Sequence, residues 1–339
     1  MNETHDLLKN AHPRACHRTD QADTAVIGSS RPFQQVAGLE GQRLSMTSQV
    51  GYTEDMTELQ IQDNDAGQTL EKYLQKALPA LPRSLMFKAV RNKKIKVNRK
   101  RCEVRQMLQA GDIVQLFLPP DVLEQEAFVP NDRPLRVVWE DDDLMVLYKP
   151  RGLLSQKDQP GKQDDMNSRL RTLLWKRGIW NPETDRSFRP SVAHRLDRNT
   201  SGLVLAGKTA AGARKAAEMI RQGNLEKEYL ATVEGVVDRP QELRLFLKKE
   251  GTKALVRDTP EDGWLHADMD IEPVGHAGNN TVIRVHLLTG RFHQIRASMA
   301  HIGHPLAGDV KYGGQPGQPY SLEACRLCFD GHCIEMPQK

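Results

Sequence analysis

No stretch of this 339-residue chain is apolar over the ~18 residues that a membrane span requires. Its first residues, Met1-Asn-Glu-Thr-His-Asp, lack the basic-then-apolar plan of a secretory signal. Cysteine is scarce at five, and without a secretion signal those thiols are expected to be reduced. Aromatic residues make up only 5%, and neither sign of charge dominates, with 48 Lys and Arg against 44 Asp and Glu. The resulting formal charge of +4 is too small to identify a polyanionic partner by its size. No internal repeat is found, which excludes a solenoid. What remains is 38% hydrophobic and 27% charged, over a length sufficient for about two domains. A soluble, cytoplasmic, globular protein is expected.

Residues 1–57 are polar and show no sustained period of 3.6 or 2, so they are expected to be a disordered tail. Met46 and Met56 leave a later start as the other reading. From Gly67 the texture changes. Leu70, Tyr73, Leu74, Ala77 and Leu78 recur at helical spacing, and a second helix is expected from Ser84. Ile95-Lys-Val-Asn and Ile113-Val-Gln-Leu-Phe-Leu read as a strand pair. Between them lie Arg83, Lys88, Arg91, Lys93, Lys94, Lys96, Arg99, Lys100, Arg101 and Arg105, opposed only by Glu103. A solvated surface usually mixes signs, so this block argues for a polyanion contact. The plainer alternative is a basic helical hairpin with no nucleic-acid role.

Pro119-Pro120 and the acids from Asp121 to Glu126 make a linker ending near Pro134. Leu135-Arg-Val-Val-Trp and Leu144-Met-Val-Leu-Tyr-Lys-Pro then flank an acidic turn and read as a hairpin. Adjacent acids in a turn splay apart, so Glu140-Asp-Asp-Asp is taken as solvated rather than metal-binding. Helices are expected at Met166 to Ile179, at Ala210 to Gln222 with Gly223 as the stop, and at Ile295 to Ala300 before Gly303. Strands are expected at Tyr229 to Val233 and Thr281 to Leu287.

The most informative segment is Ser191-Val-Ala-His-Arg-Leu-Asp-Arg-Asn-Thr-Ser-Gly-Leu-Val-Leu. Arg195 and Arg198 flank Asp197, favouring its charged form and offering planar donors to phosphate. A surface ion-pair cluster is the ordinary reading of such a mix. The whole string His-Arg-Leu-Asp-Arg-x-Thr-Ser-Gly-Leu, however, resembles the catalytic motif of the RluA-type pseudouridine synthases. Two further blocks carry the same resemblance. One is Leu225-Glu-Lys-Glu-Tyr-Leu-Ala-Thr-Val-Glu-Gly. The other runs from Leu287-Leu-Thr-Gly-Arg-Phe-His-Gln-Ile-Arg to Gly303-His-Pro-x-x-Gly-Asp-x-x-Tyr-Gly. The segment around residues 67–118 resembles an S4 RNA-binding domain.

The resemblance implies that Asp197 is the catalytic carboxylate, acting on the sugar or base as a nucleophile or removing a ribose proton. It implies that Arg296 pairs with Asp197, holding it ionised and oriented, and that Tyr229 packs on the extruded base. By the same resemblance His194, Arg195, Arg198, Lys227, Arg291, His293 and Gln294 contact the RNA. Arg83, Lys88, Arg91, Lys93, Lys94, Arg99 and Lys100 would do so from the S4-like module. Ser298 stands where the family usually has His, and Phe292 where Thr or Ser is commoner. The implied reaction detaches uracil at N1 and rejoins it through C5.

Three patterns point elsewhere. Gly202-Leu-Val-Leu-Ala-Gly-Lys-Thr satisfies a phosphate-loop pattern, yet its four central residues are apolar and strand-like, so no loop is free to wrap a phosphate. Cys325, Cys328, His332 and Cys333 are zinc-type ligands, but they crowd one short segment in which Leu322, Leu327 and Phe329 read as strand core, so packing cysteines are expected. His293, His301 and His304 suggest a metal-dependent nuclease, but Gly303 and Pro305 break the helix that would align the last two. A non-catalytic RNA-binding or ribosome-assembly protein of the same fold is the remaining rival.

The expected architecture is α+β: a pseudouridine-synthase fold with a central, mostly antiparallel mixed sheet, preceded by a small S4-like α/β domain. Its parts are a tail over 1–57, the S4-like domain over 58–118, a linker over 119–134 and the catalytic domain over 135–339. Neither metal nor nucleotide cofactor is expected. The expected partner is structured RNA, large-subunit ribosomal RNA ahead of tRNA, bound by a monomer away from membranes.

Overall fold

The computed structural model describes residues 56–157 and 164–337. Apart from Met56 and Thr57, the segment read as a tail lies outside the described residues.

The first module contains β1 (Thr57–Gln60), α1 (Leu70–Ala77), α2 (Arg83–Arg91), β2 (Ile95–Val97), β3 (Lys100–Arg101) and β4 (Ile113–Leu116). Its antiparallel sheet has the order β1-β4-β2-β3. Thr57 already pairs with Leu116, so β1 starts one residue before the boundary read from sequence. A four-residue strand burying Leu59 alone carries too little alternation to be seen beforehand. Helix α1 forms because Leu70, Tyr73, Leu74 and Ala77 share one buried face and the Thr69 hydroxyl accepts from the Lys72 N–H at its start. Between β1 and α1, a 3-10 turn at Asp63–Asp65 reaches across to the larger domain. The fully buried Asp65 carboxylate accepts from the Arg186 N–H at 3.0 Å, the Ser187 N–H at 2.9 Å and the Ser187 hydroxyl at 2.6 Å.

The larger domain contains β5 (Arg136–Glu140), β6 (Leu144–Lys149), α3 (Met166–Lys176), β7 (Ser191–Val192), β8 (Ser201–Gly207), α4 (Ala210–Gln222) and β9 (Glu226–Glu234). It continues with β10 (Gln241–Glu250), β11 (Lys253–Arg257), β12 (Leu265–Ala277), β13 (Asn280–Leu287), α5 (Gln294–His301), β14 (Leu322–Phe329) and β15 (His332–Glu335). One 11-stranded sheet runs β11-β10-β12-β13-β9-β14-β8-β6-β5, with β15 beside β14 and β7 beside β8. Every pairing is antiparallel except β14 with β8. The α+β class and the mostly antiparallel mixed sheet are therefore as expected.

The run Leu144-Met-Val-Leu is apolar throughout because β6 is covered on both faces. Leu144 and Val146 meet Ala216 and Met219 of α4, whereas Met145 and Leu147 meet Met166, Leu170 and Leu174 of α3. No strand is expected from sequence between Gly235 and Thr281, yet β10, β11 and β12 form there. In β12 the buried Ala267, Met269 and Ile271 alternate with Asp268, Asp270 and Glu272. Acids are poor intrinsic strand formers, and pairing with β10 and β13 overrides that preference.

The phosphate-loop pattern is β8 itself. A Cβ on Gly202 would lie 2.3 Å from the Ala324 carbonyl oxygen, so that glycine permits close β8–β14 contact rather than phosphate binding. Lys208 donates to the Asp141 carbonyl at 2.6 Å. The cysteine expectation needs one correction. The β14–β15 turn sets Cys328 directly opposite Cys333, with Cα atoms 4.2 Å apart, and the two are joined as a disulfide rather than being separate thiols.

Candidate active site

Asp197 sits in the loop that leads from β7 into β8, which lies inside the large sheet between β14 and β6. The Thr200 N–H donates to the Asp197 carbonyl at 3.1 Å, closing the turn that projects the carboxylate. Beneath the loop lies Lys149, the last residue of β6, with a fully buried side chain. Its ammonium donates to the carbonyls of Thr200 at 2.7 Å, Arg198 at 3.1 Å and Pro150 at 3.2 Å. Burial pulls its pKa down to about 8, against the opposing pull of Asp197.

The third motif block brings Arg296 to the same place. It lies on α5, where its Nε and Nη2 donate to the two oxygens of Asp309 at 2.7 and 2.8 Å. The remaining Nη1 donates to Asp197 Oδ2 at 3.3 Å. Asp309 is only 3% exposed. Burial works against the Arg296 charge, but the Asp309 carboxylate outweighs it and holds the guanidinium firmly protonated. The rings of Tyr312 and Tyr320 flank the guanidinium, with centroids 5.0 and 5.8 Å from its central carbon.

The other residues read from sequence divide into two groups. Tyr229 is buried in β9, paired in register with Val285 and Ala324. Burial and then the nearby Asp197 charge raise its phenol pKa. Lys227, two residues earlier, is half-buried with its pKa lowered by burial, and it approaches Gly290. His293 places Nε2 3.6 Å from Asp197 Oδ2. Arg195, Arg198 and Arg291 are exposed, with Arg198 bonded to the Gly152 carbonyl and Arg291 to the His266 carbonyl.

Two of the residues read as RNA contacts are turned inward. His194 Nε2 accepts from the Leu205 N–H at 3.1 Å, and burial drives its pKa down to about 3, so it braces the loop as a neutral ring. Gln294 is 3% exposed. It accepts from the Thr289 hydroxyl and the Arg291 N–H and donates to the Asp268 carbonyl, which shapes the turn before α5. Ser298, at the position where the motif departs from the family, is fully buried.

Arg83, Lys88, Arg91, Lys93, Lys94, Arg99 and Lys100 are all exposed on the first module. The histidines behind the nuclease reading do not converge. His301 meets Asp258 at 3.1 Å and His304 meets the Glu234 carbonyl at 2.9 Å. Among the described residues no group of three or more His, Cys, Asp or Glu could hold a metal ion.

Lys149, Asp309, Tyr312 and Tyr320 were given no role from sequence. Asp309 and Tyr312 lie inside a matched motif, so their positions were visible. Their partners were not.

Comparison with known proteins shows the family. Residues 143–301 match the family described as RNA pseudouridylate synthase. The ribosomal large subunit pseudouridine synthase D of Escherichia coli strain K12 is 30% identical, over 76% of this chain and 77% of that protein. The chain belongs to the RNA pseudouridylate synthase family. It is therefore an isomerase that converts uridine in RNA to pseudouridine. The synthase D of Haemophilus influenzae is 28% identical, over 77% of this synthase and 78% of its own length. Human RNA pseudouridylate synthase domain containing 4 superposes with a TM-score of 0.49 at 16% identity, covering 60% of this chain and 88% of that one.

Replacing Arg296 with Ala should cripple turnover and also destabilise the fold, since it strands the buried Asp309 carboxylate. Loss of one partner from a buried pair costs on the order of 3–5 kcal/mol. A thermal melt run beside a pseudouridine assay checks both effects, and wild-type turnover in a folded variant would contradict the pairing.

A pH profile tests Lys149. Deprotonation near pH 8 removes one of the three N–H donors of an ammonium that holds the loop at Arg198 and Thr200, so turnover should fall through a single ionisation there. The stability effect has the opposite sign. An unfolded lysine titrates near 10.5, so between about pH 8 and 10.5 the unfolded chain binds more protons and this group's contribution to stability rises with pH. Activity should therefore drop without a matching fall in melting temperature.

Proposed function

We propose that this enzyme modifies uridine in large-subunit ribosomal RNA in the cytoplasm, with Asp197 as its catalytic carboxylate. The observation that carries the assignment of Asp197 is its contact with a guanidinium already fixed at two points by Asp309. An arginine so held presents its third donor in a set direction, and a carboxylate meeting it is oriented before substrate arrives. Asp197 keeps partial exposure, as a group that must reach a base or ribose requires. It serves as nucleophile or as the base that takes a ribose proton.

Relatives that share about three-quarters of their length with this chain carry the name ribosomal large subunit pseudouridine synthase, which supports that RNA over tRNA. Among the described residues no helix is long and apolar enough to cross a membrane. The first module acts as an S4-like RNA-binding domain: two helices pack on a small sheet and display a face of basic side chains.

Pseudouridine maps of total RNA from cells with and without the gene identify the target. A site in large-subunit RNA should vanish with the gene, return with the wild type and not return with Asp197→Asn. Asparagine keeps the shape of the side chain but is neither nucleophile nor useful base. Turnover above a few per cent in that variant would exclude the assignment.

Neutralising Lys93, Lys94, Arg99 and Lys100 together should weaken RNA affinity but leave the single-turnover rate at saturating RNA near that of the wild type. Each lost phosphate contact should flatten the slope of log affinity against log salt by about 0.7 to 0.9. Unchanged affinity and slope on a structured RNA would remove this module from recognition.

A further inference from the structure

His293 has the left-handed backbone conformation, with φ of 54°, at the start of α5 and no side-chain cap to account for it. A non-glycine residue held there is strained, and such strain gathers where a side chain must be aimed. Its ring is fixed on three sides. Phe292 stacks on it with centroids 3.8 Å apart and planes inclined by 19°. Nδ1 lies 2.8 Å from the Tyr312 hydroxyl, and Nε2 lies 3.6 Å from Asp197 Oδ2.

One backbone amide favours a single set of hydrogen-bond directions by occupying a lone pair of the Tyr312 oxygen. The Ala254 N–H, on β11, donates to the Tyr312 oxygen at 2.7 Å. The Tyr312 proton is then free to go elsewhere, and among the described residues its only acceptor is His293 Nδ1. Burial draws the His293 pKa down to about 4 despite Asp197, so the ring is neutral near pH 7 and holds one proton. With Nδ1 accepting, that proton sits on Nε2 and faces Asp197. Arg296 Nη1 approaches the same oxygen, Oδ2, and no hydrogen bond to Oδ1 comes from the described residues.

We propose that Tyr312 and His293 form a positioning relay that, with Arg296, holds Asp197 by Oδ2 alone and leaves Oδ1 as the oxygen that reacts. The relay rests on Asp197 being the catalytic carboxylate. It runs from a β11 amide through the Tyr312 hydroxyl and the His293 ring to Oδ2 of Asp197. A neutral donor beside the guanidinium steadies the carboxylate without adding a second full charge. The 3.6 Å gap closes to a hydrogen bond when substrate packs the site, as catalytic contacts often tighten in the complex.

The test begins with the tautomer. In wild-type protein labelled with ¹⁵N-histidine, the His293 signals, identified by their loss in His293→Gln, should show a protonated Nε2 and a bare Nδ1. A proton on Nδ1 would overturn the relay whatever Asp197 does. Tyr312→Phe should release the tautomer into a mixture and lower kcat about tenfold, the typical weight of one hydrogen bond to a charged group, with KM for RNA little changed. His293→Gln, which keeps a side-chain N–H, should retain more turnover than His293→Ala. A Tyr312→Phe enzyme with wild-type kcat and tautomer would refute the proposal. A merely structural role would lower the melting temperature and move neither reading. Failure of the catalytic assignment itself is separate, since it would appear as turnover in Asp197→Asn.

Discussion

One guanidinium between two carboxylates organises this enzyme. Arg296 spends two of its donors on Asp309, which is almost wholly buried, and a third on Asp197, which is not. The asymmetry has a physical consequence. A buried bidentate pair is rigid because breaking it would strand two charges, whereas a single longer bond to a partly exposed carboxylate leaves that group accessible. Lysine could not substitute, since an ammonium has no planar fork with which to grip one acid and aim at another. Lys149 completes the balance from below. Its buried ammonium and Arg296 formally offset Asp197 and Asp309, although among the described residues Lys149 bonds only to carbonyls.

That cluster joins segments far apart in the chain, and the sheet makes the meeting possible. The loop bearing Asp197 feeds β8, which runs parallel to β14, and Gly202 and Ala324 come together there because the glycine has no side chain. Tyr229 comes from β9, the other neighbour of β14. The glycine that suggested a phosphate loop therefore has a structural purpose. It lets two strands approach within a distance at which the Asp197 loop, the buried tyrosine and the end of β6 share one centre.

The legible parts of the site were those contained in contiguous strings. Asp197, Tyr229 and Arg296 each lie within a motif, and the order of motifs indicated the fold around them. Side-chain direction was not legible. His194 and Gln294 stand beside exposed arginines in the same strings, yet one supports a strand amide and the other closes a turn. Proximity in sequence to Asp197 or Arg296 does not say which way a ring or amide points. Asp309 and Tyr312 illustrate the converse. They fall in a Gly-Asp-x-x-Tyr-Gly string that reads as a turn, and their partners Arg296 and His293 lie 13 and 19 residues earlier. Strands β10 to β12 were missed because their stability comes from pairing with one another and with β13, which single-residue preferences do not record.

Asp65 extends the same logic to the joint between the two modules. A linker of ordinary composition would let a small module wander, but here a buried carboxylate takes three donors from Arg186 and Ser187. Asn64 adds a bond to the Ala210 N–H at the start of α4. Burial raises the Asp65 pKa and the Ser187 donors pull it back, so the contact depends on its hydrogen bonds being satisfied together. The contacted residues, 185–187, lie only a short way before the strand that leads to Asp197. On the proposed reading, RNA held by the basic face of the first module is therefore presented to Asp197 at a set distance. The choice of uridine then becomes partly a matter of spacing along a structured RNA, with the contacts at the reacting base supplying the rest.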